Sequence, residues 1–267
     1  MYFCSMIKKN ILFSLLIFAI LLPSCSKYQK LLKSSDNDLK YEKAIGYYEK
    51  GEYYKAQQLF EQIYTFFRGT EKAEKISYLN SYCYFKQKDY IMGGYQFKSF
   101  STSYPASKFA EECAYMSAYC SYLDSPRSSL DPTSTNDAIA ALQLFINQHP
   151  QSERVEECNK LIDELRGKLE TKAYDIATMY YKMADYKAAI VTFNNILKDF
   201  PDSRNKENIM YQILTAKFDY AVNSIDSKKK ERLNDALESS RTFMNEYPEG
   251  KYFSDAKSIE KNILKLL

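Results

Sequence analysis

Tryptophan is absent from this chain, histidine occurs once, and glycine and proline occur only seven times each. So few backbone breakers leave little material for tight hairpins between strands, and the abundance of Lys, Glu, Ala and Leu favours a mostly helical protein. A single histidine, His149, and no C-x-x-C pair make a metal site an unattractive reading. Missing too are a G-x-x-x-x-G-K-[ST] phosphate loop, a G-x-G-x-x-G turn, an H-E-x-x-H helix and a G-x-S-x-G elbow. Acid pairs do occur, at Glu111-Glu112 and Glu156-Glu157, but adjacent residues on a helix point in different directions and make poor catalytic partners. Net charge is only +3, with basic and acidic residues interspersed, so no nucleic-acid footprint is present. The expectation is a protein that is not an enzyme, holds no cofactor or metal and binds no nucleic acid.

Tyrosine is plentiful, at 25 residues, and one phrase recurs along the chain. Its clearest copy runs Lys182-Met183-Ala184-Asp185-Tyr186 and ends at Phe200-Pro201-Asp202-Ser203. It reads as a tight turn between helices, a second helix with Ala189, Phe193 and Ile196 on one stripe, and a proline stop. Sister stripes are Ala56, Phe60, Ile63; Gly93, Phe97, Phe100; Ala138, Leu142, Phe145; and Ala236, Ser240, Phe243. In each, a small residue lets two helices approach and a larger one fills the space beyond. Stops at Pro105, Pro150, Pro201 and Pro248 lie about 45 to 50 residues apart. The tetratricopeptide period is about 34, and the excess is assigned to longer helices and to loops at 124–135 and 224–230. The fold expected is all-α: a tetratricopeptide-repeat solenoid of about five hairpins with a capping helix from about Ser254 to Leu267. Residues 37–152 form its N-terminal half (repeats 1–3) and residues 153–267 its C-terminal half.

The N-terminus reads as a targeting segment over residues 1–24. Lys8 and Lys9 precede an apolar run from Ile11 to Leu22, of signal-peptide length and shorter than a span of roughly 20 residues. Leu22-Pro23-Ser24-Cys25 resembles a bacterial lipobox, which makes Cys25 the acylated residue and new N-terminus; an ordinary secretory peptide is the other reading. Several acyl chains on one residue anchor stably, unlike a single myristoyl group. Residues 25–36 would be a lipidated tether, with Ser35 or Asp36 capping the first repeat helix. The absence of Asp at position 26 and of an acidic run after it favours the outer membrane, periplasmic side.

Cys83, Cys113, Cys120 and Cys158 read as small buried hydrophobes. The first helices carry a second aromatic stripe: Tyr41, Ile45, Tyr48; Tyr78, Tyr82, Phe85; and Tyr174, Thr178, Tyr181. Such rings either line a groove for an extended peptide, where tyrosine gives much contact area for little entropy, or pack between neighbouring repeats. His149 stands where the other stops carry an aromatic residue and reads as structural.

The lipobox, the hairpin number and the phrases Tyr53-Tyr54-Lys55-Ala56…Phe60, Tyr104-Pro105-Ala106-Ser107 and Phe200-Pro201-Asp202-Ser203 together resemble the BamD family of outer-membrane β-barrel assembly lipoproteins. That resemblance implies a scaffold whose partners are the barrel-forming subunit with its periplasmic domains and unfolded outer-membrane proteins. The implied substrate groove involves Tyr41, Tyr48, Tyr78, Tyr82 and Phe85, and the implied subunit contact lies in repeats four and five, with Tyr174 and Tyr181. A different periplasmic adaptor lipoprotein, coordinating envelope or cell-wall proteins, is the alternative.

Overall fold

The computed structural model describes residues 22–267, with side chains from Lys27 onward. The expected signal segment through residue 21, and the Cys25 side chain where acylation is expected, lie outside the described residues. Those described form α1 (Leu22–Leu32), α2 (Asn37–Glu49), α3 (Tyr53–Tyr64), α4 (Glu71–Lys86), α5 (Tyr90–Ser103), α6 (Ala110–Asp124), α7 (Thr133–Gln148), α8 (Val155–Lys182), α9 (Tyr186–Asp199), α10 (Lys206–Val222), α11 (Asp226–Glu246) and α12 (Phe253–Leu266). No strand occurs among them. The architecture is the all-α, tetratricopeptide-type array of hairpins that the spacing predicts, and α12 packs on both helices of the fifth hairpin.

The chain forms two compact units. One extends to Asp124 and includes Ala140–Cys158; the other comprises Ser125–Ile139 and Asn159–Leu267. Within the first, Ala44, Ala56, Phe60, Ile63 and Ile76 centre one core. Within the second, Ala177, Ala189, Phe193, Ile196 and Ile209 centre another, and Leu233, Ala236 and Ile263 a third. Every second-helix stripe read from the sequence is buried, from Ala56–Phe60–Ile63 through Ala236–Ser240–Phe243. The pattern holds because residues four and seven positions along a helix return to the same face.

The turns within the first, second and fourth hairpins share one geometry. Gly51, Lys88 and Ala184 adopt left-handed φ of 77°, 64° and 60°. Their N–H groups donate to the carbonyls of Tyr48, Phe85 and Tyr181 at 3.0, 2.9 and 2.9 Å. The residue after each donates one position further back, to Tyr47, Tyr84 and Tyr180 at 2.9, 3.1 and 3.0 Å. This is the helix-ending motif in which a left-handed residue satisfies the last carbonyls. Asp89 and Asp185 then begin the next helix, each accepting from the backbone N–H three residues on at 3.1 Å.

The inter-hairpin stops repeat as closely. Tyr104, Phe200 and Tyr247 have φ between −127° and −129°. In the turns that follow, Ser107, Ser152, Ser203 and Gly250 donate their N–H to the residue before each proline at 3.0 to 3.1 Å. The three serines also clasp a glutamate on the first helix of the preceding hairpin: Ser107–Glu74 at 2.6 Å, Ser152–Glu111 at 2.5 Å and Ser203–Glu170 at 2.7 Å. At the fourth stop Glu207 instead accepts the Tyr252 N–H at 3.2 Å, and a Cβ on Gly250 would collide with its carboxylate. His149 fits the aromatic position as read: its ring lies 5.0 Å from Phe145, as Tyr104 lies 5.1 Å from Phe100.

Four local features depart from the sequence reading or sharpen it. In the segment expected as a tether, α1 is helical and Tyr28 is buried, its hydroxyl 3.0 Å from the Lys55 carbonyl and 2.9 Å from Gln58 Oε1. Asp36 caps α2 through the Leu39 N–H at 2.8 Å, as expected of Ser35 or Asp36. The 224–230 stretch is loop only through Ile225: α11 begins at Asp226, because lysines are good helix formers and Lys228 pairs with Glu231 one turn on. The 124–135 loop is a real insertion, held by Lys168 Nζ on the Ser125 carbonyl at 3.2 Å and Lys172 Nζ on the Leu130 carbonyl at 2.8 Å.

All four described cysteines are buried and unpaired with one another. Burial pushes the thiols of Cys83, Cys113 and Cys120 up to about 12 and that of Cys158 to about 11.

Candidate functional site

The tyrosine stripe of the first unit arises from α2, α4 and α6, the leading helices of the first three hairpins. Tyr78 and Tyr82 are neighbours one turn apart, with ring centroids 5.0 Å apart, and Phe85 follows 6.3 Å from Tyr82. Tyr78 stacks on Phe109 at 4.4 Å, and Tyr82 meets Phe97 edge-on at 4.9 Å. Both hydroxyls donate to one carboxylate, Glu112 on α6, Tyr78 at 3.1 Å and Tyr82 through a shorter contact. Burial, the Glu112 charge and that hydrogen bond raise both phenols, Tyr78 to about 12. Tyr48 also rises to about 12, chiefly by burial, with Cys83, Tyr53 and Glu112 adding.

Tyr41 stands apart from this set. Its ring lies 5.8 Å from Phe67 and beneath Lys72, whose ammonium pairs with Asp38 at 2.5 Å. Tyr48 meets Tyr53 at 5.5 Å. All five predicted groove residues are half-buried: each offers part of a ring to solvent, while the hydroxyls of Tyr78 and Tyr82 are already satisfied. The surface they present is therefore aromatic more than hydrogen-bonding.

The stripe continues beyond the residues read from the sequence. On α6, Tyr115, Tyr119 and Tyr122 stack in series at 5.7 and 5.8 Å, and Tyr119 lies 6.3 Å from Phe85. Glu112 itself was not singled out as an acceptor. The available signal was its separation of 34 residues from Tyr78, the tetratricopeptide period, which places both on leading helices in one register.

The second unit repeats the arrangement. Tyr174 accepts from Asn208 Nδ2 at 2.9 Å, again across 34 residues, and Tyr181 donates to Asp219 through a short contact. Burial and Asp219 raise the Tyr181 phenol well above its ordinary value. Thr178, between them, has a buried hydroxyl with no hydrogen-bond partner. On the same helix, α8, Ile176 and Met179 are exposed, and Met183, in the turn just past the helix end, continues their row, exposed at 69%. Exposed methionine suits an adaptable protein contact.

Comparison with curated proteins finds no match. Among solved structures, the chain is similar to the TPR2AB-domain:pHSP90-complex of yeast Sti1, with 10% identity, 86% of this chain and 98% of that chain covered, and a TM-score of 0.39. A family model described as "YfiO: Outer membrane lipoprotein" matches residues 33–219 and 170–267. Matched over nearly all of its described length, the chain belongs to the YfiO family of outer membrane lipoproteins, the BamD family that its motifs resemble.

Proposed function

We propose that this protein is a lipid-anchored, non-enzymatic scaffold of the outer-membrane β-barrel assembly machinery, held through Cys25 and facing the periplasm. Family membership is the observation that carries this reading. The first unit engages unfolded outer-membrane proteins through the half-buried rings of Tyr41, Tyr48, Tyr78, Tyr82 and Phe85. The satisfied hydroxyls of Tyr78 and Tyr82 leave ring faces for the aromatic side chains of an extended strand. The second unit engages the barrel-forming subunit, through Tyr174, Tyr181 and the exposed Ile176–Met179–Met183 row.

Binding of a fluorescent peptide ending in an aromatic strand tests the first part. Tyr48→Ala and Phe85→Ala should each weaken it about tenfold, the loss typical of a central interface aromatic. Tyr95→Ala, exposed on α5, should leave it unchanged. Equal loss in all three, or none in any, would remove the groove from the proposal.

A further inference from the structure

Between α1 and α2 lies a cleft of about 620 Å³, within the range of small-ligand sites. Four lysines line it: Lys27 and Lys30 from α1, Lys43 from α2 and Lys50 just past its end. One carboxylate, Glu42, is among the lining residues, and its charge also acts on Lys72. None of the four lysines has a carboxylate within ion-pair distance among the described residues, whereas Lys55 and Lys72 nearby are paired with Glu52 and Asp38. Lysines that pair readily elsewhere in this unit are thus left open together, around one concavity.

The walls are fixed in advance. Tyr28 pins α1 to α3, and the buried Lys40 ammonium binds the Leu32 carbonyl at the end of α1 at 3.0 Å and Gln62 at 2.8 Å. Among the lining residues is a glycine, Gly46, inside α2. Glycine in a helix interior costs stability relative to alanine, and here no packing requires it: a Cβ would meet nothing within 4 Å. What the missing side chain does is keep the cleft open. Leu31, Leu39 and Tyr47 supply apolar wall beside the ammonium groups.

We infer that this cleft binds the headgroup of an anionic phospholipid in the membrane that carries the anchor. The inference rests on the reading of Cys25 as acylated for its location. On that reading Lys27 sits about 3 Å and Lys30 about 7.5 Å along the helix from the anchored residue, at the usual rise of about 1.5 Å per residue. Both lie within the roughly 10 Å over which an anionic surface acts on a charge. The lysines take the phosphate, and the apolar wall takes the glycerol and the first methylenes. The site would hold the first hairpin against the membrane, orienting the leading helices that carry the tyrosine stripe.

The test uses the mature full-length chain with Cys25→Ser, so that acyl chains contribute nothing, floated with vesicles of phosphatidylcholine alone or mixed equally with phosphatidylglycerol. Binding is expected to the mixed vesicles only. Gly46→Leu, which fills the cleft and leaves every charge in place, should weaken it about tenfold or more, with the helical circular dichroism kept. Replacing Lys27, Lys30, Lys43 and Lys50 by Gln should weaken it by about several hundredfold, since each lysine at an anionic surface is worth about fivefold. Replacing Lys228, Lys229 and Lys230 by Gln should change nothing. Unaltered binding by Gly46→Leu, equal loss on replacing Lys228, Lys229 and Lys230, or no preference for phosphatidylglycerol overturns the site. Intact mass of the native mature protein reads acylation separately: unacylated protein with preserved vesicle binding would refute the anchor and leave the cleft standing.

Discussion

Ser203 donates its hydroxyl proton to Glu170 across 2.7 Å, and the same carboxylate accepts the Asn205 amide at 3.1 Å. The serine Oγ meanwhile accepts the Asn205 backbone N–H at 3.0 Å. One serine thus closes the proline turn behind it and ties the turn to the leading helix of its own hairpin. Ser107 does the same with Glu74 and Phe109, and Ser152 with Glu111 and Arg154.

Removing a clasp should cost what a charge-assisted hydrogen bond contributes, about 1.5–3 kcal/mol when shielded and less when wet. Ser107→Ala and Ser203→Ala, whose partners are half-buried, should each lower the thermal midpoint by several degrees, at about 2–4 °C per kcal/mol for a chain of this size. Ser152→Ala, with exposed Glu111, should lower it less. Because Ser203 and Glu170 act as one unit, the double variant Ser203→Ala/Glu170→Ala should cost less than the two singles together. Additive losses would mean that the contact carries no coupling.

The left-handed turn residues point the other way. Gly51 occupies this position without strain, but Lys88 and Ala184 hold φ of 64° and 60° with a Cβ. That conformation costs an ordinary L-residue about 1–2 kcal/mol. Ala184→Gly and Lys88→Gly should therefore stabilise the protein by up to about 1 kcal/mol each, after the greater freedom of glycine in the unfolded chain is subtracted. Denaturant midpoints check this. Destabilisation by both would contradict the turn geometry.

Alkali should unfold the protein by a definable route. Tyr28, Tyr48 and Tyr78 are raised from 10.0 to about 12, and Cys83, Cys113 and Cys120 from 9.0 to about 12, burial being the largest cause in each. A raised pKa means that the folded state holds the proton longer than the unfolded state. The associated stability is complete below about pH 9, falls as the pH climbs past the unfolded values, and is lost by about 12. Thermal midpoints across that window should drop while phenolate absorbance lags behind that of the denatured chain. At neutral pH the four buried thiols should react with a disulfide reagent only on unfolding. Rapid native labelling would contradict their burial.

Much of this fold is legible in the sequence because its signals are local. A small residue followed by larger ones at four and seven positions marks each second helix, and proline marks each stop. The docking of α1 was not legible, since eleven residues with exposed lysines carry no sustained period and the burial of Tyr28 depends on Lys55 and Gln58 in α3. Nor was the helical start of α11, where a lysine run after Ser224-Ile225 reads equally well as loop. The aromatic stripe was legible as rings. Its acceptors were not: Glu112 and Asp219 lie 34 and 38 residues from Tyr78 and Tyr181, and only the register of successive leading helices brings them together.

The most direct test of the proposed role is recovery of the tagged, full-length lipoprotein from native membranes after crosslinking, with mass spectrometry of what accompanies it. A large β-barrel protein with periplasmic domains should copurify in stoichiometric amount. Met183→Glu, which places a charge in the exposed row that runs off the end of α8, should lose it while the protein itself stays folded and membrane-bound. Recovery of cell-wall or division proteins with no barrel subunit would contradict the assembly role and favour an adaptor of the envelope.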